Sequence, residues 1–163
     1  MPARSDWSDD DCSIARGVHA IGDPWVLLIA RELLTGARRF DDLRRRLGIA
    51  DNILSTRLKS MLATGLVEQR PYLDGRRTRQ EYRPTTSTED MLPVLHAFSL
   101  WADKHAFVGD DRRVAIICRS CSAQSAEGER CSTCGASLDV RTTAWIRPST
   151  AGAAVPLEAT PAG

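Results

Sequence analysis

The chain has 163 residues, 42% hydrophobic and 26% charged, enough apolar material for one good core and a small satellite, and the wrong composition for a disordered acidic tail or a collagen. Its longest apolar run, Trp25 to Ala30, falls far short of the roughly twenty residues of a bilayer span, and no charged-then-apolar segment opens it, so a cytoplasmic protein is expected. The net charge of +1 argues, as an average, against a strongly electrostatic partner.

That average hides a segregation. Residues 1–11 carry Arg4 against Asp6, Asp9, Asp10 and Asp11, an acidic arm expected to be disordered. Residues 38–83 hold eleven arginines and Lys59 against six acids. Such a block is either a phosphate-binding footprint or a solvated face whose arginines pair with nearby acids. Secondary structure decides between them.

A short helix is expected from Cys12 to about Ala20. Asp23-Pro24 then sets a capping residue before a proline at the first helical position, opening a helix from Pro24 to Thr35 that is apolar nearly all round and so forms the buried centre. Gly36 stops it. Phe40, Leu43 and Leu47 recur at helical spacing with Arg44, Arg45 and Arg46 turned outward, and Gly48 supplies the left-handed residue that ends that helix. Three residues later Asp51 is read as the cap of a helix in which Leu54, Leu58, Met61 and Leu62 form one stripe and Asn52, Ser55, Thr56 and Lys59 the opposite face. So tight a turn makes a helix-turn-helix. Segments 66–72 and 78–84 read as strands around an Asp74-Gly75 turn, with Arg76, Arg77 and Arg79 at the tip. Helix, turn, helix and basic hairpin define a winged helix.

Ser87-Thr-Glu-Asp90 resembles a capping box with Asp in place of Glu and opens an apolar helix whose first turn Pro93 bends or frays. With Leu92, Val94 and Leu100 beside Met91, Leu95, Phe98 and Trp101, its stripe is too broad for one small core. A dimer interface at Leu95, Phe98 and Trp101 is therefore predicted. His19, His96 and His105 read as surface or interface residues. Trp25, Phe98 and Trp101 are either core or the lining of a small-molecule pocket. From Ser149 onward the Ala, Thr, Pro and Gly composition predicts a mobile tail.

Cys118-Arg-Ser-Cys121 and, after nine intervening residues, Cys131-Ser-Thr-Cys134-Gly135 repeat one Cys-x2-Cys pattern. Four thiolates so spaced can surround one tetrahedral Zn2+, and a glycine after the last cysteine lets backbone N–H groups turn toward sulfur. A rubredoxin-type iron has the same ligands. Two disulfides are disfavoured in a reducing cytoplasm, and four free thiols by the regularity of the pattern. With every position filled by sulfur the metal is structural, supplying much of the folding free energy of a small ribbon whose strands include 114–117 and 143–146. The fifth cysteine, Cys12, is either a small buried residue or a reactive thiol, its pKa lowered by helix N–H groups and Arg16 and raised by Asp10 and Asp11.

Cys12-Ser-Ile-Ala, Ile21-Gly-Asp-Pro-Trp-Val-Leu-Leu-Ile, Arg31-Glu-Leu-Leu, Arg39-Phe-Asp-Asp-Leu, Leu54-Ser-Thr-Arg-Leu-Lys, Gly65-Leu-Val-Glu, Glu81-Tyr82, Leu92-Pro-Val-Leu and Trp101 together resemble the HxlR family of bacterial winged-helix transcriptional regulators. The resemblance spans about Cys12 to His105. It implies a homodimer on a palindromic double-stranded DNA operator and makes Cys12 a candidate sensor, since some members use a cysteine near the first helix to detect oxidants or electrophiles. The position after Ile21-Gly-Asp, usually basic in the family, is Pro24 here, and the Cys-rich extension is an addition.

The expected architecture is mainly α with a small β wing, plus a small β zinc ribbon at the C-terminus. Residues 1–11 form the arm, 12–107 the winged-helix and dimerisation domain, 112–147 the four-cysteine zinc-ribbon-like module and 148–163 the tail. Asn52, Ser55, Thr56 and Lys59 are expected to meet base edges or flanking phosphates in a major groove. Arg76, Arg77 and Arg79 suit the minor groove or its phosphates, and Arg38 and Arg39 are expected phosphate contacts. Arg57, at the border of the stripe, braces the domain or touches only backbone. The function expected is a sequence-specific, homodimeric repressor responding to a redox, electrophile or small-molecule signal. The alternative is a winged-helix and zinc-ribbon adaptor that contacts polypeptides without specific DNA binding. An enzyme is not expected, for want of an open metal position, a Gly-rich phosphate loop or a nucleophile with its base.

Overall fold

The computed structural model describes residues 6–106, 109 and 112–160. Helix α1 (Ser13–Ile21) leads into α2 (Pro24–Leu34), whose start is set by the Asp23 carboxylate accepting the Trp25 N–H at 2.9 Å while Pro24 has no N–H to satisfy. Helix α3 (Phe40–Leu47) closes at Gly48, whose N–H donates to the Arg44 carbonyl at 2.9 Å. Helix α4 (Asp51–Ala63) begins with Asp51 as its first residue, and Ala50 is the cap. The Asp51 carboxylate instead stands 3.4 Å from Arg44, tying the two helices across their turn.

Strands β1 (Val67–Asp74) and β2 (Arg77–Pro84) pair from Val67–Pro84 to Asp74–Arg77, so the wing is longer than expected and its two-residue loop is Gly75-Arg76. The anticipated capping box does not form. Helix α5 (Thr86–Glu89) is a separate turn whose buried Thr88 hydroxyl donates to the Leu66 carbonyl. Helix α6 (Leu92–His105) starts afresh with Pro93 in its first turn, where no N–H is needed.

The remaining residues form a second antiparallel sheet of β3 (Ala115–Cys118), β4 (Gln124–Ser125), β5 (Thr143–Ile146) and β6 (Ala154–Pro156), in spatial order β4-β3-β5-β6. Strand β6 corrects the expectation of a mobile tail. Its backbone pairs with β5, Leu157 is buried, the Glu158 N–H donates to the Leu34 carbonyl at 2.9 Å, and the Thr160 hydroxyl donates to the Pro84 carbonyl at 2.9 Å. Few apolar side chains suffice there because the open edge of β5 supplies backbone partners. At the other end, residues 1–5 of the acidic arm lie outside the described residues. Asp6 to Asp11 turn back onto α1, with Asp6 3.6 Å from His19.

Two apolar cores result. The first joins Val26, Ile29, Leu33, Leu43, Leu54, Leu58 and Met61, with Trp25 packed against it, inside the winged helix. The second joins Leu34 of α2 and Leu92 of α6 to Ile116, Cys118, Cys131, Leu138, Val140, Trp145 and Leu157, with Leu95 and Leu100 packed against it. Consecutive residues Leu33 and Leu34 thus serve different cores, which is why α2 is apolar nearly all round. The same packing accounts for the breadth of the α6 stripe, since the chain's own second sheet packs against half-buried Leu95, while Phe98 and Trp101 stay exposed at 56% and 61%. Among the described residues no helix is long and apolar enough to cross a membrane.

Candidate nucleic-acid interface and metal centre

Helix α4 buries Leu54, Leu58 and Met61 and leaves Asn52, Thr56 and Lys59 exposed and Ser55 half-buried. The Thr56 hydroxyl donates to the Asn52 carbonyl at 2.8 Å, which leaves its lone pairs for an incoming donor. Arg57 braces the domain, reaching the Asp23 carboxylate at 2.8 Å and so tying α4 to the cap of α2. In the wing Arg76, Arg77 and Arg79 are exposed, and Arg79 pairs with Asp74 at 3.0 Å. Arg39 lies over the Tyr72 ring, 4.5 Å from its centre, and joins the start of α3 to the wing by a cation–π contact.

Arg38 is placed otherwise than its position beside Arg39 implies. Its guanidinium donates to the Leu33 and Ala37 carbonyls and to the Glu158 carboxylate at 2.8 Å, with 18% of the side chain exposed. Burial lowers its pKa, against the attraction of Glu158. The side chain thus joins the C-terminal segment to α2.

The four cysteines converge. All four sulfurs lie within 4.8 Å of one another, with 3.7 Å between Cys118 and Cys134 and 3.7 Å between Cys121 and Cys131. Ligands at about 2.3 Å from a tetrahedral centre stand about 3.8 Å apart, so these separations fit a four-sulfur metal site. The two knuckles are built alike. The N–H groups of Cys118 and Cys131 donate to the carbonyls of Ala123 and Ala136, and their carbonyls accept from Ser122 and Gly135. Both of the latter residues are left-handed, at φ 61° and 74°, so Ser122 holds without glycine a conformation that Gly135 adopts at little cost. The N–H groups of Cys134 and Thr133 aim at the Cys131 sulfur and, against burial, pull its pKa down to about 6. At Cys121 the Ala123 N–H lowers the pKa, but Cys134, burial and the other thiols together push it up to about 12.

Cys12 is exposed at the cap of α1, not buried, and its N–H donates to the Asp10 carboxylate at 2.8 Å. The Arg16 guanidinium reaches the Asp10 carbonyl.

Two polar links join the winged helix to the second sheet. His96, expected at a surface, is buried and takes the Trp145 Nε1–H on Nε2 at 2.9 Å. Since indole only donates, the imidazole proton sits on Nδ1 and goes to the Gly128 carbonyl at 2.6 Å. A Cβ on Gly128 would lie 2.8 Å from that of His96, so glycine is needed for this approach. Glu32, 3% exposed, takes a two-point bond from Arg147 at 2.6 and 3.3 Å and one from Arg31 at 2.9 Å. Burial raises its pKa, and Arg147 with Arg31 more than offsets this and holds it below the usual carboxylate value. His96 could have been found in the sequence, for it lies four residues from both Leu92 and Leu100 on one helical face. Glu32 gave no such signal.

A compact helix-turn-helix with an arginine-rich wing is the architecture of a winged-helix transcription factor. Residues 20–109 match the HxlR-like helix-turn-helix family. The chain is 30% identical over 129 residues, 79% of its own length and 81% of theirs, to the uncharacterized HTH-type transcriptional regulators Mb3122 of Mycobacterium bovis and Rv3095 of Mycobacterium tuberculosis. Among solved structures PA1607, described as a candidate transcription factor, superposes with a TM-score of 0.68 at 29% identity over 82% of this chain and 93% of that one. The reduced form of the regulator YodB from B. subtilis shares the fold, with a TM-score of 0.52 at 24% identity over 61% of this chain and 98% of that one. The protein belongs to the HxlR-like helix-turn-helix family of transcriptional regulators, and that family's members are regulators, not enzymes. The 82% shared with PA1607 is more than the residues before 110 can supply, so that likeness runs on into the Cys-containing extension.

Proposed function

We propose that this regulator binds a double-stranded DNA operator as a homodimer in the cytoplasm and represses transcription until a signal releases it. The observation that carries the reading is the exposed polar face of α4, the second helix of the helix-turn-helix, followed in the chain by a wing with three exposed arginines at its tip. In this reading Asn52, Ser55, Thr56 and Lys59 enter the major groove and Arg76, Arg77 and Arg79 take the minor groove or its phosphates. Arg39 remains a phosphate contact. The partner copy covers Phe98 and Trp101 of α6 together with exposed Ile14 and Val18 of α1, and Cys12 at the head of α1 is placed to report oxidants or electrophiles to that interface.

We also propose that Cys118, Cys121, Cys131 and Cys134 hold one structural Zn2+ per chain. The sulfur separations fit, the paired knuckles match zinc-ribbon chemistry, and four thiolates leave no open position for catalysis.

Selection of bound duplexes from a random pool should yield a palindrome. Gel-shift titration should then show affinity falling with salt at a log–log slope of about −0.9 per neutralised phosphate, and Lys59→Ala should flatten that slope by about one unit if Lys59 meets a phosphate. A flat salt response or no preference over random duplex would sink the DNA reading. Metal analysis of protein purified without added zinc should give about one equivalent per chain, and less than half would count against the site.

A further inference from the structure

Two cavities adjoin where the second sheet meets the winged helix, and their chemistry differs. One, of about 440 Å³, is walled by Leu27 and Leu28 of α2, Leu95 and Phe98 of α6, and Trp145. The other, of about 620 Å³, is ringed by Arg31, Arg46, Arg112 and Arg147, with Glu32 as its one acid among the described residues. Arg31, Arg112 and Val114 line both, so the two are lobes of one cleft.

The polar lobe carries more positive charge than its acid neutralises. Glu32 spends itself on Arg147, taking a two-point bond at 2.6 and 3.3 Å. Arg31 reaches the same carboxylate through Nε alone, and Arg46 forms only a longer ion pair with it, at 3.6 Å. Arg112 is exposed on the boundary between the lobes. Among the described residues, four guanidiniums against one carboxylate leave three positive charges in the polar lobe, reduced by one if Asp103 of the apolar lobe is counted. Guanidinium forks match carboxylate and phosphate oxygens two at a time.

We infer that this cleft binds an amphiphilic organic anion, its apolar body against Trp145 and the α2–α6 leucines and its carboxylate or phosphate head at Arg31, Arg46 and Arg112. The apolar lobe lies within the roughly 300–1,000 Å³ of small-molecule sites and at a junction between two packed units, where such sites concentrate. A neutral hydrocarbon leaves the arginines without a counter-charge, and a nucleic acid has no body for the apolar lobe. Trp145, Arg147 and Arg112 fall outside the residues that match the HxlR-like family, 20–109, so the extension completes the site. Its walls belong to both units and Arg46 belongs to α3, the helix before the reading helix. A bound anion therefore favours the docked arrangement of the two and shifts operator affinity, a consequence that rests on the regulator reading, whereas the binding itself does not.

Calorimetry on the full metal-loaded chain separates these claims. Decanoate or decyl phosphate, below micelle-forming concentration, should bind at one per chain, and the tighter of the two identifies the head. Decanol and acetate should each bind about tenfold or more weakly than the better anion. Ser99→Trp, which fills the apolar lobe from α6, and Arg46→Gln combined with Arg112→Gln, which empties the polar lobe of two charges, should each cost about tenfold or more. Should Ser99→Trp fail to fold by circular dichroism, the arginine pair decides. No binding by either anion, equal binding by decanol, or unchanged binding in the arginine double variant would overturn the inference. A gel shift with and without the bound anion then reads the effect on DNA alone.

Discussion

The winged helix and the C-terminal sheet are stabilised in different ways. Residues of α2, α3, α4 and the wing enclose a core drawn wholly from their own segment, from Val26 to Met91. The second sheet has no such independence. Its core borrows Leu34 and Leu92 from the helices, includes the sulfur-bearing Cys118 and Cys131, and is tied back by Glu32–Arg147, His96–Trp145 and Arg38–Glu158. A helical unit reaches stability through the burial of its own periodic faces, whereas a sheet of short strands needs a host surface and, in the reading proposed above, a metal. That reading makes the extension a cap whose folding depends on the regulator domain beneath it.

The largest test of that contrast is metal removal. If the proposed metal is bound, chelation, or Cys131→Ser, should unfold the C-terminal sheet, since a structural metal is worth about 10–16 kcal/mol in comparable small sites, and leave the helical circular dichroism of the winged helix largely intact. An unchanged near-ultraviolet signal from Trp145 after chelation would erase the distinction. Next in size, Trp145→Ala should cost about 3–5 kcal/mol in urea unfolding and remove the donor to His96. Glu32→Gln should cost a comparable or slightly smaller amount, about 3 kcal/mol, because it strands Arg147, 11% exposed, without its counter-charge. If it costs no more than a surface ion pair, the junction is looser than described.

Acidification should loosen the junction in two stages. Burial lowers the pKa of His96 against the bond to Gly128, so its contribution is complete above its ordinary value of 6.5 and is lost as pH falls through the depressed folded value. Glu32, also held low, contributes fully above 4.5 and loses its share as pH falls further. Melting temperature against pH should show both stages, and His96→Leu should abolish the first alone. The smallest effect is a gain. Ser122→Gly should stabilise the first knuckle by about 1 kcal/mol, read by metal-competition titration, since it removes the Cβ from a left-handed residue.

Much of the winged helix is readable from residue spacing. Leu54, Leu58 and Met61 announce the buried face of α4 and so its exposed opposite face, and Asp23-Pro24 places the start of α2. The cysteine set is readable for the same reason, since a local Cys-x2-Cys repeat directs its own chelation geometry. Arg38 shows where such reading stops. Adjacent to Arg39 and identical in chemistry, it is bound by Glu158, 120 positions away, and no local pattern carries that partnership. The C-terminal strand is a similar case, since its low apolar content reads as disorder until the edge of β5 is available to pair with it.

The sequence by itself determined which segments coil, which pair in the wing, where charge accumulates and which four sulfurs meet. Those properties depend on helical and strand periodicity and on near neighbours along the chain. Only the tertiary structure decided that the broad apolar face of α6 is shared with the chain's own second sheet, that His96 and Glu32 are buried links, and that Arg38 is occupied. Each of these depends on groups far apart in sequence becoming close in space, and on desolvation at a surface that exists only once both units have packed.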